Sequence, residues 1–204
     1  MNAIGLAFIS KKKVFMKNLL VVFSHGKESG PLGSKIRALM RVAEQQGADT
    51  LSVDYSKHAD GAAIDRDMPG EANRRVTQLL STVLPPHRQL VLVGSSMGGY
   101  VSTVASSVLK PAGLFLLAPA FYLPGYACQD PVPDATSTLV VHGWGDEVVS
   151  PDNSIRFARK HRCVLHLLKG DHRLDAALPA IEPLFNLFLQ RIQVVDNAQS
   201  IGTG

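Results

Sequence analysis

The chain has 204 residues, 46% of them apolar and 19% charged, with a formal net charge of +4. That size and balance suit one globular α/β domain with a single substantial core, and they exclude a disordered chain. Lys11, Lys12 and Lys13 hold most of the excess positive charge. The body of the chain is therefore close to neutral and offers no electrostatic footprint for nucleic acid.

The segment Ile4-Gly5-Leu6-Ala7-Phe8-Ile9 is apolar, but it is too short to span a bilayer. The lysines follow it instead of preceding it, which is the wrong order for a secretory signal. Residues 1–15 are expected to be a dispensable, disordered leader, with the domain running over 16–191 and a frayed tail over 192–204. No run of 18 or more apolar residues occurs elsewhere, so no membrane span is expected.

Asn18-Leu19-Leu20-Val21-Val22-Phe23 is a continuous apolar run of the kind found in a parallel strand covered on both faces. Pro31 opens a helix to about Gln46, with Gly47 at its end. Leu51-Ser52-Val53 is a short strand. After a loop over residues 57–69, a helix from about Glu71 carries Val76, Leu79, Leu80 and Val83 at helical spacing, and Pro85-Pro86 stops it. Gln89-Leu90-Val91-Leu92-Val93 is a strand. The helix after it is expected to bury Val101, Val104, Ala105 and Val108, and it ends at Pro111. Leu114–Leu117 and Thr138–Val141 are further strands, separated by a loop rich in Pro and aromatics. Ser150-Pro151 is an N-cap and first helical residue. Cys163–Leu168 is the last strand. A final helix from about Leu174 to Arg191 buries Leu178, Ile181, Phe185 and Phe188. Alternation of six strands with helices predicts one doubly wound, mostly parallel sheet with helices on both faces.

Chemistry is concentrated at the strand ends, where such sheets place their sites. Gly94-Ser95-Ser96-Met97-Gly98 follows one strand and opens a helix, which is the context a Gly-x-Ser-x-Gly nucleophile elbow requires. A serine needs a base, and the base needs an orienting carboxylate. His142-Gly143-Trp144-Gly145-Asp146-Glu147 follows the strand ending at Val141. Lys169-Gly170-Asp171-His172 follows the strand ending at Leu168. Asp146 and His172 thus fall where acid and base belong, in the order Ser, Asp, His. Ser95 precedes the motif's central position, Glu147 is the fallback acid, and Asp171 reads as a turn or capping residue. His142 and His25 read as packed, structural histidines, the latter bracing the loop after the first strand. His58, His87 and His161 read as surface residues, and Asp65, Arg66 and Asp67 as a solvated charge run.

With Phe23-Ser24-His25-Gly26 after the first strand, these motifs make the chain resemble the α/β-hydrolase superfamily. The likeness is to its compact, lidless esterases of the YqiA-like or dienelactone-hydrolase-like kind. It spans roughly residues 18–190 in element order. It implies a minimal single-domain α/β hydrolase with Ser96 as nucleophile, His172 as general base and acid, and Asp146 as the orienting carboxylate. It also implies an oxyanion hole made by the backbone N–H groups of Met97 and Lys27. The chain lacks the first two strands of larger members and has no room for a lid domain, so an open or shallow pocket is expected. Phe121, Tyr122, Leu123, Tyr126 and Trp144 are candidates to line it.

The expected activity is hydrolysis of small to medium acyl esters or thioesters through an acyl-enzyme. The alternatives are the same triad acting on a C–C bond, an amide or a peracid-forming transfer, or a non-catalytic protein of this fold that binds a ligand or partner. No cofactor is expected, and no His, Cys and Asp set has zinc spacing. Cys128 and Cys163 are far apart in sequence and suggest a reducing, cytoplasmic setting. A small-molecule substrate and a monomer or weak homodimer complete the expectation.

Overall fold

The structure is a computed structural model that describes residues 17–57 and 64–201. The expected leader over residues 1–15 lies outside the described residues, as does His58. The elements in chain order are β1 (Lys17–Ser24), α1 (Ser34–Gln45), β2 (Asp49–Val53), α2 (Glu71–Ser81), β3 (His87–Ser95), α3 (Met97–Leu109), β4 (Gly113–Leu117), β5 (Ser137–Gly143), α4 (Pro151–His161), β6 (Val164–Leu168) and α5 (Leu178–Ile201). The six strands form one sheet in the order β2-β1-β3-β4-β5-β6. Every neighbouring pair is parallel.

Because both faces are covered, the central strands are apolar on both sides. Leu19, Val21 and Phe23 of β1 pack with Ile36, Leu39 and Val42 of α1 and Ile181, Phe185 and Phe188 of α5. Leu20 and Val22 join the opposite layer with Leu79 of α2, Val101 and Ala105 of α3 and Phe157 of α4. The chain leaves β1 toward β2 on one side and returns to β3 on the other, so the strand order switches at β1 and β3. Their paired ends, Ser24 opposite Gly94, therefore open the crevice in which an α/β sheet binds ligands. No helix or strand interrupts residues 118–136 between β4 and β5, where a lid would sit.

Some apolar stripes differ from the sequence reading. On α2 the buried face is Glu71, Ala72, Arg75 and Leu79, while Leu80 and Val83 are exposed. The helix ends at Ser81 and Thr82 is extended, which takes Val83 off the helix. A Glu71–Arg75 ion pair one turn apart on this face replaces the expected aliphatic contact. Val108 near the end of α3 is exposed. The last helix begins at Leu178, after a 3-10 turn over Asp175–Ala177. It also continues past Arg191, with Ile192 in the core, so residues 192–201 are helical where fraying was expected. Ile192 extends the Ile181, Phe185, Phe188 and Leu189 stripe by one turn, and burying it gives the added turn a reason to form. Among the described residues, no helix is long and apolar enough to cross a membrane.

Candidate active site

β3 delivers Ser96 into a sharp turn. Its φ of 54° and ψ of −120° are conformations a non-glycine residue adopts only when its surroundings hold it there. Here the Ser96 N–H donates to the Leu117 carbonyl at 2.9 Å. The Ser96 carbonyl accepts from Gly99 at 2.9 Å and Ala120 at 3.0 Å. The flanking glycines are required by close approach. A Cβ on Gly94 would overlap the Gly98 carbonyl, and one on Gly98 would overlap the Ser24 carbonyl oxygen. Both obstacles are backbone. Gly98→Ala is therefore expected to cost about 3 kcal/mol or more, beyond an ordinary overpacked site. A denaturant midpoint within error of wild type would contradict that packing.

Three side chains meet over this turn. His172 Nε2 lies 2.9 Å from Ser96 Oγ, and His172 Nδ1 lies 2.6 Å from Asp146 Oδ2. A carboxylate only accepts, so the Nδ1 position carries the proton and Nε2 is left to accept from the Ser96 hydroxyl. The loops holding Asp146 and His172 are stitched together. Trp144 donates to Leu168 O and Gly145 to Gly170 O, each at 2.9 Å. A Cβ on Gly143 would come within 2.5 Å of the Gly170 carbonyl oxygen.

Asp146 is buried, and each oxygen is doubly occupied. Oδ1 accepts the N–H groups of Val148 at 2.9 Å and Val149 at 2.8 Å. Oδ2 accepts from His172 and from His142 Nε2 at 2.9 Å. Burial alone would raise its pKa, but the Val149 N–H and His172 outweigh that and hold it below the usual carboxylate value. Glu147 is exposed, and Asp171 caps the turn to Leu174 at 3.1 Å.

His142 is fully buried. Its Nε2 faces two acceptors, Asp146 Oδ2 and Val149 O, and its Nδ1 meets the Ser154 hydroxyl at 2.7 Å. Donation from Nε2 and acceptance at Nδ1 satisfy the neutral ring completely. Burial pushes its pKa down, as it does that of His25. Both rings therefore take up a proton more readily in the unfolded chain. Their contribution to stability is complete above the ordinary histidine pKa of about 6.5 and is lost as pH falls below it. The denaturant midpoint is expected to drop between pH 7.5 and pH 5.5. A flat profile would contradict the buried neutral assignment.

The loop after β1 lies beside Ser96: a Cβ on Gly26 would sit 3.3 Å from Ser96 Cβ. Lys27 and Met97 both line the cleft above the serine. Among the described residues, no acceptor takes up either backbone N–H. The segment 65–67 is not merely solvated. Arg66 Nη1 donates to Lys27 O at 3.4 Å, and Asp67 pairs with Lys27 Nζ.

The cleft is open, with a volume of about 800 Å³. Leu123 and Tyr126 line it with Ala120, Val148 and Val149. The other three expected pocket residues are elsewhere. Phe121 is buried against Phe157, with ring centroids 4.3 Å apart. The Tyr122 ring lies under the Arg156 guanidinium, 3.9 Å away. Trp144 is exposed outside the cleft. A left-handed turn at Tyr122 separates Phe121, which faces the core, from Leu123, which faces the cleft. Sequence spacing carries no trace of that reversal. Lys35, Ser34, Arg173 and Asp175 also line the cleft and were not expected there. A Ser34–Asp175 hydrogen bond of 2.6 Å brings α1 to the histidine loop. His161 is also not simply a surface residue: its ring packs on Phe157, with centroids 4.7 Å apart.

No protein-family model matches the sequence, and no curated protein matches it either. Solved structures do. A Xanthomonas campestris pv. campestris protein assigned to the α/β superfamily of hydrolases is 28% identical, over 84% of this chain and 98% of that one, with a TM-score of 0.66. This chain has the fold of the α/β hydrolases. A Xanthomonas campestris α/β serine hydrolase described as lacking a lid shares the fold at 21% identity, over 89% of this chain and 85% of that one, with a TM-score of 0.66. Est1E from Butyrivibrio proteoclasticus does so at 18% identity, over 90% and 91%, with a TM-score of 0.71. Among the described residues the sheet has six strands, and no helix stands between β4 and β5. Among its described residues, no group of three or more His, Cys, Asp or Glu is arranged to hold a metal ion.

Proposed function

We propose that this α/β hydrolase is a serine hydrolase that cleaves small to medium acyl esters or thioesters. The observation that carries the proposal is the unbroken line from Asp146 through His172 to Ser96, at 2.6 and 2.9 Å, opening on the cleft. Ser96 Oγ attacks the carbonyl carbon while His172 Nε2 takes its proton. Asp146 holds the ring in the required tautomer and stabilises the imidazolium. The carbonyl oxygen, now negative, is held by the N–H groups of Met97 and Lys27. Collapse breaks the bond to the leaving alcohol or thiol, which takes the proton from His172. Water, deprotonated by the same histidine, then releases the acid from Ser96.

The two walls of the cleft differ in chemistry. The leaving group must lie beside His172, next to Arg173, Lys35, Ser34 and Asp175. That wall suits a polar alcohol or thiol. The acyl chain then lies toward Ala120, Leu123, Tyr126, Val148 and Val149, which suits a short apolar or aromatic acid. An open cleft covers little of a long lipid chain.

Labelling with a fluorophosphonate, followed by peptide mapping, tests the reading. An adduct on Ser96, absent from Ser96→Ala, is expected. A series of p-nitrophenyl esters set beside thioesters and anilides then ranks the leaving groups. A folded wild-type protein that neither labels nor turns over any of them would favour a ligand-binding role instead.

A further inference from the structure

α2 turns charged residues inward, which is a costly choice. Arg75 is fully buried, and among the described residues its Nη2 is buried without a hydrogen-bond partner. Its Nε donates to Glu71 Oε1 at 2.6 Å, and the guanidinium lies 5.2 Å from the Tyr55 ring centroid. Buried ion pairs are often no more stabilising than well-packed apolar residues of the same size. Stability by itself therefore gives a poor account of an arginine here.

What Arg75 touches is more telling. Its Nη1 donates to His25 O and Gly26 O, each at 3.2 Å. The Gly26 carbonyl and the Lys27 N–H belong to one planar, trans peptide unit, so they point in opposite directions. The Gly26 oxygen has a second donor in His25 Nδ1 at 2.7 Å. His25 Nε2 accepts the Tyr55 N–H at 3.2 Å, which puts the ring proton on Nδ1. Two donors on one oxygen fix the plane of the peptide beside Ser96. One of them is charged, and a cation on an amide oxygen strengthens the N–H dipole at the other end.

We infer that Arg75 is a positioning residue for the oxyanion hole: it aims and polarises the Lys27 N–H through the Gly26 carbonyl. The inference rests on the hydrolase reading above and deepens it. Arg75 stands behind the peptide and does not touch substrate. Its effect belongs to the step in which the oxyanion forms, so it should act on kcat and spare KM. His25 and Tyr55 complete the support. Ser24 Oγ lies 2.8 Å from the Tyr55 hydroxyl, tying the end of β1 to the same cluster.

The test compares wild type with Arg75→Lys, Arg75→Met and Glu71→Gln. The readouts are steady-state hydrolysis of p-nitrophenyl acetate, inhibition by a boronic acid and thermal unfolding. Loss of a direct oxyanion donor costs on the order of 10²–10³ in rate, so loss of its support should cost about 10–10². We expect kcat to fall by that factor in Arg75→Met, with KM within about twofold. Boronate affinity should fall in parallel, because the tetrahedral adduct uses the same hole. Arg75→Lys keeps the charge without the fork that reaches both carbonyls, and it should recover part of the loss. Glu71→Gln leaves Arg75 in place with a weaker anchor and should show a smaller kcat loss of the same kind. Folded Arg75 variants with wild-type kcat and boronate affinity would overturn the inference. If neither Arg75 variant folds, an unchanged kcat in folded Glu71→Gln would overturn it. A wild type that neither turns over nor labels defeats the hydrolase reading itself, and this inference with it.

Discussion

Ser96→Ala is expected to remove ester hydrolysis, with kcat falling by about 10⁵–10⁶ to the residual level that binding and the oxyanion donors sustain. In the proposed mechanism the hydroxyl is the attacking atom, and no other nucleophile replaces it. Ser95 is a buried residue of β3. The substitution keeps Cβ, and backbone bonds to Leu117, Gly99 and Ala120 hold the turn, not Oγ. Stability is therefore expected to stay within about 1–2 kcal/mol of wild type. Turnover and unfolding measured on the same preparation separate the two effects. Retained turnover in folded Ser96→Ala protein would end the triad hypothesis.

Asp146→Asn is expected to lower kcat on the order of 10⁴. The Val148 and Val149 N–H groups claim the amide oxygen of the new side chain, which turns its NH2 toward His142 and His172. His172 must then present a bare Nδ1 and carry its proton on Nε2, facing Ser96, where it can no longer act as base. The NH2 also meets the His142 Nε2–H, donor against donor, so a stability loss of about 1–3 kcal/mol accompanies the catalytic one. In wild type the depressed Asp146 pKa adds stability above the ordinary carboxylate pKa of about 3.9, and that part is lost as pH falls through the lower folded value. Asp146→Asn should lack this acid-dependent part. Glu147→Gln, by contrast, changes an exposed carboxylate and should leave kcat within a few-fold. The reverse ranking of the two variants would move the acid by one residue.

The pattern of legibility follows from interaction range. The elbow, the Asp146 loop and the His172 loop each sit directly after an apolar run, so strand ends alone singled out Ser96, Asp146 and His172 as candidates. Their meeting at hydrogen-bond distance depends on strand order, with β5 and β6 lying beyond β4. The cleft lining was less legible. Leu123 and Tyr126 line it, while Phe121 faces the core, Tyr122 lies under Arg156 and Trp144 faces out. A loop without periodicity leaves the direction of each side chain to tertiary contacts.

α2 shows the same division at greater cost. By helical spacing alone, Val76, Leu79, Leu80 and Val83 outrank Glu71 and Arg75 for the buried face, yet the helix turns the charged pair inward. Hydropathy sums ignore that a carboxylate one turn from a guanidinium, next to two open backbone carbonyls, can be buried together with them. The amino-acid sequence by itself determined the alternation of strands and helices, the two obligatory glycines of the elbow and the order of the chemistry-bearing residues, because these rest on local patterns. Only the tertiary structure decided which helix face is buried, which loop side chains reach the cleft and what stands behind the Gly26–Lys27 peptide, because those depend on partners 30 or more residues away in the chain.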